Sequence, residues 1–155
     1  MEDDMDMAPV ESLTDDVGFL LSRVSGLFAR ASNVALASHG LRVRSYSVLS
    51  MACSAEGGLS QRDLAECLGL DPSQVVLLVD ELTDANLVER RPSEVDRRTK
   101  LVLATPGGRD RLTEAQRDVD AAVSEQLADL TPTEQVLLRD LLRRLARRSP
   151  GGQLL

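Results

Sequence analysis

A mainly α-helical fold carrying one small β-hairpin, α+β in class, is what this sequence predicts. Three observations lead there. Apolar residues recur at three-to-four spacing through most of the chain, the mark of helices with one buried face. Aromatic residues make up only 2% of a chain that is 43% hydrophobic, and tryptophan is absent. Ala, Leu and Val must then fill the core, which suits packed helices better than a β-sandwich. Finally, two short strand-like runs, "LVERR" and "TKLVLA", flank the charged, turn-rich "PSEVDR", the pattern of a hairpin.

The elements follow in order. From Val17 the residues Leu20, Leu21, Val24, Leu27, Phe28, Ala31, Val34 and Ala35 lie on one helical face, and Gly40 in "ASHGL" supplies a left-handed stop. A second helix is expected at about 44–55, before Glu56-Gly57-Gly58. Ser60 caps a short helix that turns Leu64, Ala65 and Leu68 inward and ends at Gly69. "DPSQ" opens the next helix, with Asp71 as N-cap, Pro72 at N1 and Gln74 at N3 of a capping-box-like pattern. That helix carries Val75, Leu78, Val79 and Leu82 and ends near Asn86. After the hairpin, Thr105 and Pro106 start a long helix with Leu112, Ala115, Val119, Ala122, Val123 and Leu127 as its stripe. "LTPTEQ" is a capping box, Thr131 to Glu134, opening a last helix with Val136, Leu137, Leu141, Leu142 and Leu145 inward.

Two short helices joined by a Gly-containing turn and followed at once by a hairpin make a winged helix-turn-helix. This needs only about half of the chain. The long helices outside it carry apolar faces with little core to cover them, and a second copy of the chain is the simplest cover, so a homodimer is expected.

Charge does not oppose a nucleic-acid partner. The formal net charge is −7, but residues 1–16 hold seven acids (Glu2, Asp3, Asp4, Asp6, Glu11, Asp15, Asp16) and no base, so the rest is neutral. The acidity belongs to a terminal tail, read as solvated and disordered over 1–14. No stretch resembles a signal peptide, and the longest aliphatic run, "VVLLV", is too short to span a bilayer. A cytoplasmic protein with Cys53 and Cys67 reduced is expected. One histidine and two cysteines give no metal site at the usual spacings, and no nucleophile elbow or phosphate loop is present. Neither an enzyme nor a cofactor is expected.

DNA contacts follow from the elements. The first residues of the second helix of a helix-turn-helix reach base edges in the major groove. Here these are Ser73 and Gln74, with Val76 able to meet thymine methyl groups. Ser60 and Gln61 start the preceding helix, where free N–H groups hold a phosphate. Five of the eighteen basic residues, Arg90, Arg91, Arg97, Arg98 and Lys100, lie in or beside the hairpin turn. Arg90, Arg91 and Arg97 suit phosphates, and an arginine at the wing can enter a narrow minor groove.

The segment "LSQRDLAECLGLDPSQVVLLVDELTDANLVERR", the wing motif "DRR" at Asp96, Arg97 and Arg98, and the following "LVLATPGGRD" resemble the MarR (multiple-antibiotic-resistance regulator) family of bacterial transcription factors. The resemblance runs from about Leu20 to Leu145. It implies one domain over 15–148, with the winged helix at about 44–104, dimerisation helices at about 15–39 and 106–148, and a short tail at 149–155. It also implies a homodimer on a near-palindromic operator, repressing until a small molecule, phenolic or lipophilic, or an oxidant releases it. Arg98 would be the minor-groove arginine, with Asp96 orienting the wing by ion pairing. His39, Tyr46 and Met51 would border the effector cleft. The family often has a hydroxyl residue and an arginine in mid recognition helix; Val76 and Leu77 stand there here. Its peroxide sensors place a cysteine near the start of the first helix, where this chain has none. A winged helix that contacts protein and a redox regulator using Cys53 or Cys67 are the competing readings.

Overall fold

The computed structural model describes residues 13–147. The two expected tails therefore lie outside the described residues, except that Leu13 and Thr14 form a turn of helix. The order is α1 (Val17–Leu36), a 3-10 turn (Ala37–His39), α2 (Val43–Ser54), β1 (Leu59–Ser60), α3 (Gln61–Leu68), α4 (Pro72–Asp84), β2 (Val88–Pro92), β3 (Lys100–Ala104), α5 (Pro106–Gln126) and α6 (Pro132–Ala146).

Local chemistry sets the boundaries. Asp16 caps α1 by accepting from the Phe19 N–H at 2.7 Å. The helix tightens to 3-10 geometry over Ala37–His39 before Gly40, at φ 67°, stops it. Thr105 caps α5, and Thr131 caps α6 in a reciprocal box with Glu134. The strand order is β1-β3-β2, all antiparallel, with Arg90 opposite Val102 and Leu59 opposite the same Val102 on the other edge. The sequence pattern does not predict the third strand. Only two residues long, β1 has no alternation to reveal it. Gly58 delivers the chain to that edge at φ 79°, where a Cβ would lie 2.9 Å from Leu103 Cγ and 3.0 Å from the Val102 carbonyl.

The core sits where α2 to α5 and the sheet meet. Leu36, Val48, Leu49, Ala52, Leu64, Val75, Val79, Val102 and Ala115 are fully buried. α1 packs chiefly on α5. The stripe expected on α6 is absent from this core: the helix buries no residue, and Val136, Leu137, Leu141, Leu142 and Leu145 are all exposed. Val17, Leu20, Leu21, Val24 and Leu27 on α1 are exposed as well. A single copy thus leaves two helices with apolar faces turned to solvent, the surplus that the sequence assigns to a second copy.

The join between α4 and α5 is tight. A Cβ on Gly108 would run into the Leu87 carbonyl oxygen and lie 2.9 Å from its carbon, whereas one on Gly107 meets nothing closer than 3.8 Å. Gly108→Ala should therefore destabilise the fold by about 1–3 kcal/mol, and Gly107→Ala should be near neutral. Urea denaturation of both variants at one protein concentration checks the contrast.

Candidate nucleic-acid interface

The helix-turn-helix is α3 and α4. Ser60 accepts from the Asp63 N–H at 3.1 Å and donates its hydroxyl to Asp63 Oδ2 at 2.7 Å. Its own N–H donates to the same carboxylate at 3.3 Å. The box locks the first turn of α3, while Ser60 and Gln61 stay half-buried. Gly69, at φ 61°, ends the helix, and the Leu70 N–H closes back on the Ala65 carbonyl at 3.0 Å.

At the start of α4 the expected box through Gln74 does not form. Asp71 instead accepts from both the N–H and the hydroxyl of Ser73, at 2.8 and 2.5 Å. Those two bonds hold the Asp71 carboxyl below its ordinary pKa. Ser73 is nearer, so it takes the cap. Gln74 is exposed and makes no side-chain hydrogen bond among the described residues. Val75, Val79 and Leu82 face the core, leaving Ser73, Gln74, Val76 and Leu77 outward.

The wing tip is built by hydrogen bonds. Asp96 accepts from the Arg98 N–H at 3.0 Å and from the Thr99 hydroxyl at 3.1 Å. Ser93 Oγ accepts from the N–H groups of Val95 and Asp96, and the Ser93 N–H donates to the Thr99 carbonyl at 2.8 Å. Asp96 therefore shapes the wing through backbone N–H and hydroxyl groups, not through the ion pairing expected of it. A short carboxylate bonding its own chain two residues on is a common turn device. Arg97 and Arg98 are exposed and form no ion pair among the described residues, so both guanidinium groups are open to an anion.

Arg90 and Arg91 differ from these. Arg90 Nη2 pairs with Asp80 on α4 at 2.5 Å, and its Nε donates to Gln61 Oε1 on α3 at 3.0 Å. One half-buried side chain thereby ties the root of the wing to both helices of the helix-turn-helix. Arg91 pairs with Glu89 along its own strand at 2.5 Å and remains mostly exposed. The sequence does not show Arg90's partners: they stand 10 and 29 residues away, with no local pattern to join them.

Two of the three residues expected at an effector cleft, His39 and Tyr46, are held by α5. His39 bonds Asp118 Oδ2 at 2.7 Å, and Arg111 donates to the His39 carbonyl at 2.6 Å. Tyr46 donates its hydroxyl to Gln116; burial, with Asp120 nearby, pushes its pKa up. Met51 is half-buried against the core. An open groove beside His39 is bordered by Asn33, Ala37, Gly40, Leu41 and Arg42, and Tyr46 and Met51 do not line it. The cysteines stand apart. Burial pushes the Cys53 thiol up, with Arg109 opposing; burial, Asp63 and Glu66 push Cys67 up. No cluster suited to a metal occurs among the described residues.

Comparison with known proteins matches this arrangement. The MarR family model matches residues 39–99, from the end of the 3-10 turn to the wing. A HTH-type transcriptional repressor of Mycobacterium bovis is 31% identical over 86% of this chain and 96% of its own length. The chain belongs to the MarR family. An uncharacterized HTH-type transcriptional regulator of Bacillus subtilis is 31% identical over 56% of this chain, which spans only 53% of that relative. Among solved structures, CouR from Rhodococcus jostii RHA1 bound to p-coumaroyl-CoA is 48% identical, with a TM-score of 0.79 over 86% of this chain and 94% of that one. The Mycobacterium tuberculosis MarR family protein Rv2887 in complex with DNA is 29% identical, with a TM-score of 0.70 over 84% of this chain and 97% of that one.

Two outcomes follow from the geometry. In a double-mutant cycle, Arg90→Ala and Asp80→Ala should show a coupling of about 0.5–1 kcal/mol in chemical denaturation; the half-exposed Asp80 keeps it small. Additive losses would dissolve the brace. Because both thiol pKa values are raised, the thiolate fraction at neutral pH is below that of a free cysteine. Alkylation rates should then climb only above the ordinary thiol range of about 8.5, read by mass spectrometry across pH.

Proposed function

We propose that the protein is a homodimeric transcriptional repressor that binds a near-palindromic operator and leaves it on binding a small-molecule effector. One observation carries this reading. The uncharged first half of α4 and two wing arginines, Arg97 and Arg98, that have no ion pair among the described residues, belong to one lobe braced by Arg90. A helix for the major groove and a cationic wing for the adjacent minor groove are the two parts such a reader needs. The complex of Rv2887 with DNA supports it.

Within this reading Gln74 and Ser73 meet base edges, and Val76 packs beside them. The N-terminus of α3 at Ser60 and Gln61 holds a phosphate through its free N–H groups. Arg98 enters the minor groove; Arg97 and Arg91 neutralise phosphates. Arg90 positions the wing more than it contacts DNA, since its guanidinium is already committed. Asp96 presents Arg98 by fixing the turn. Apolar faces of α1 and α6 from two copies close on each other.

For the effector, the bound p-coumaroyl-CoA of CouR favours an aromatic acid or its thioester, taken up near His39 and Tyr46. An oxidant is a poorer trigger, because both thiols are kept protonated.

The test is fluorescence anisotropy on DNA from upstream of the protein's own gene, against a scrambled duplex, at two salt concentrations. Wild type should prefer the upstream DNA, and log affinity should fall steeply with log salt. Arg97→Ala/Arg98→Ala should weaken binding and flatten the slope by about 0.9 for each phosphate no longer neutralised. p-Coumaroyl-CoA or p-coumarate should release the wild-type complex. Equal weak binding to both duplexes, unmoved by the substitutions, would turn the reading toward protein contact.

A further inference from the structure

The outward face of α4 is divided by chemistry. Its first half shows Ser73, Gln74, Val76 and Leu77, and its second half shows Asp80, Glu81 and Asp84. No residue of the helix carries a positive charge. Asp80 is neutralised by Arg90 at 2.5 Å, but Glu81 and Asp84 have no ion pair among the described residues. Phosphates repel that second half, so the neutral half is the part that can sit deepest in a major groove. There, Ser73 already gives its hydroxyl hydrogen to Asp71 and is left able only to accept, so Gln74 is the polar side chain that can both donate and accept.

Leu77 and Val76 make up the remainder of this surface, 64% and 39% exposed. Neither supports the core, which is filled by Val75, Val79 and Leu82 on the opposite face. An aliphatic group in the major groove has one apolar counterpart on the base edges, the C5-methyl of thymine. We propose that Leu77, seconded by Val76, is a specificity-determining residue that packs on thymine methyl groups, so that each half-site is read as thymine by Leu77 and adenine by Gln74. The inference rests on the DNA-reading function proposed above and names what that surface reads.

The test needs no operator known beforehand. Full-length wild-type protein selects its preferred duplex from a randomised pool, and each thymine of the winning half-site is then replaced in turn by deoxyuridine, which removes only the methyl. Binding is measured by anisotropy. At one or two positions the replacement should cost wild type about fourfold, the worth of one buried methyl. Leu77→Ala should bind the thymine duplex more weakly by a similar factor and lose the distinction between thymine and deoxyuridine. Because wild type carries the methyl readout, a folding defect in the variant cannot imitate it. A selected, salt-sensitive duplex at which every deoxyuridine is silent, or at which Leu77→Ala keeps the full methyl effect, would overturn the inference and leave the regulator reading standing. A pool from which nothing is enriched would sink both, and a protein partner for the apolar half of α4 would take their place.

Discussion

The structure turns on one side chain at the seam between its DNA-facing lobe and its long helices. Thr105 donates its hydroxyl to the Asn86 carbonyl at 2.7 Å, its N–H donates to the Leu87 carbonyl at 3.1 Å, and its oxygen accepts from the Gly108 N–H at 2.9 Å. That single residue caps α5 and staples it to the chain leaving α4. The bare Cα of Gly108 lets the helix press against Leu87 so closely that any side chain would collide. The long helix that also meets His39, Tyr46 and α1 is thereby fixed to the chain leaving α4.

Charge is distributed to the same purpose. The acidity of the whole chain lies in its first sixteen residues, and the remainder balances. Within the lobe, several acids are consumed in shaping the backbone, as Asp63, Asp71 and Asp96 are, and others are matched by an arginine, as Asp80 and Glu89 are. At the wing tip, Arg97 and Arg98 have no ion pair among the described residues. Positive charge near the wing thus rests on the placement of a few side chains, without a dense cationic field.

How much of this the sequence disclosed depends on range. Helix starts were legible wherever a cap and its N–H partner stand two or three residues apart; Ser60, Asp71, Thr105 and Thr131 all cap as expected. The local exception, Gln74 in the box, came from two donors competing for Asp71, which Ser73 wins by proximity. Strand β1 escaped notice because two residues show no period. Long-range pairs were invisible: His39 and Asp118 are 79 positions apart, and composition says nothing of their meeting. The wing arginines were legible as a cluster, but only the fold separates the free pair, Arg97 and Arg98, from the committed Arg90.

The bare flank of α6 has a consequence of its own. No residue of this helix is fully buried among the described residues, so in the proposed homodimer its stability would follow mass action between copies. Dilution of such a dimer would loosen the terminal helices before it reached the compact lobe, which would tie the protein's persistence in a cell to its abundance. A scarce copy presents leucines to proteases and chaperones, while a plentiful one hides them. A regulator built this way would set a lower limit on its own working concentration, the level at which copies pair.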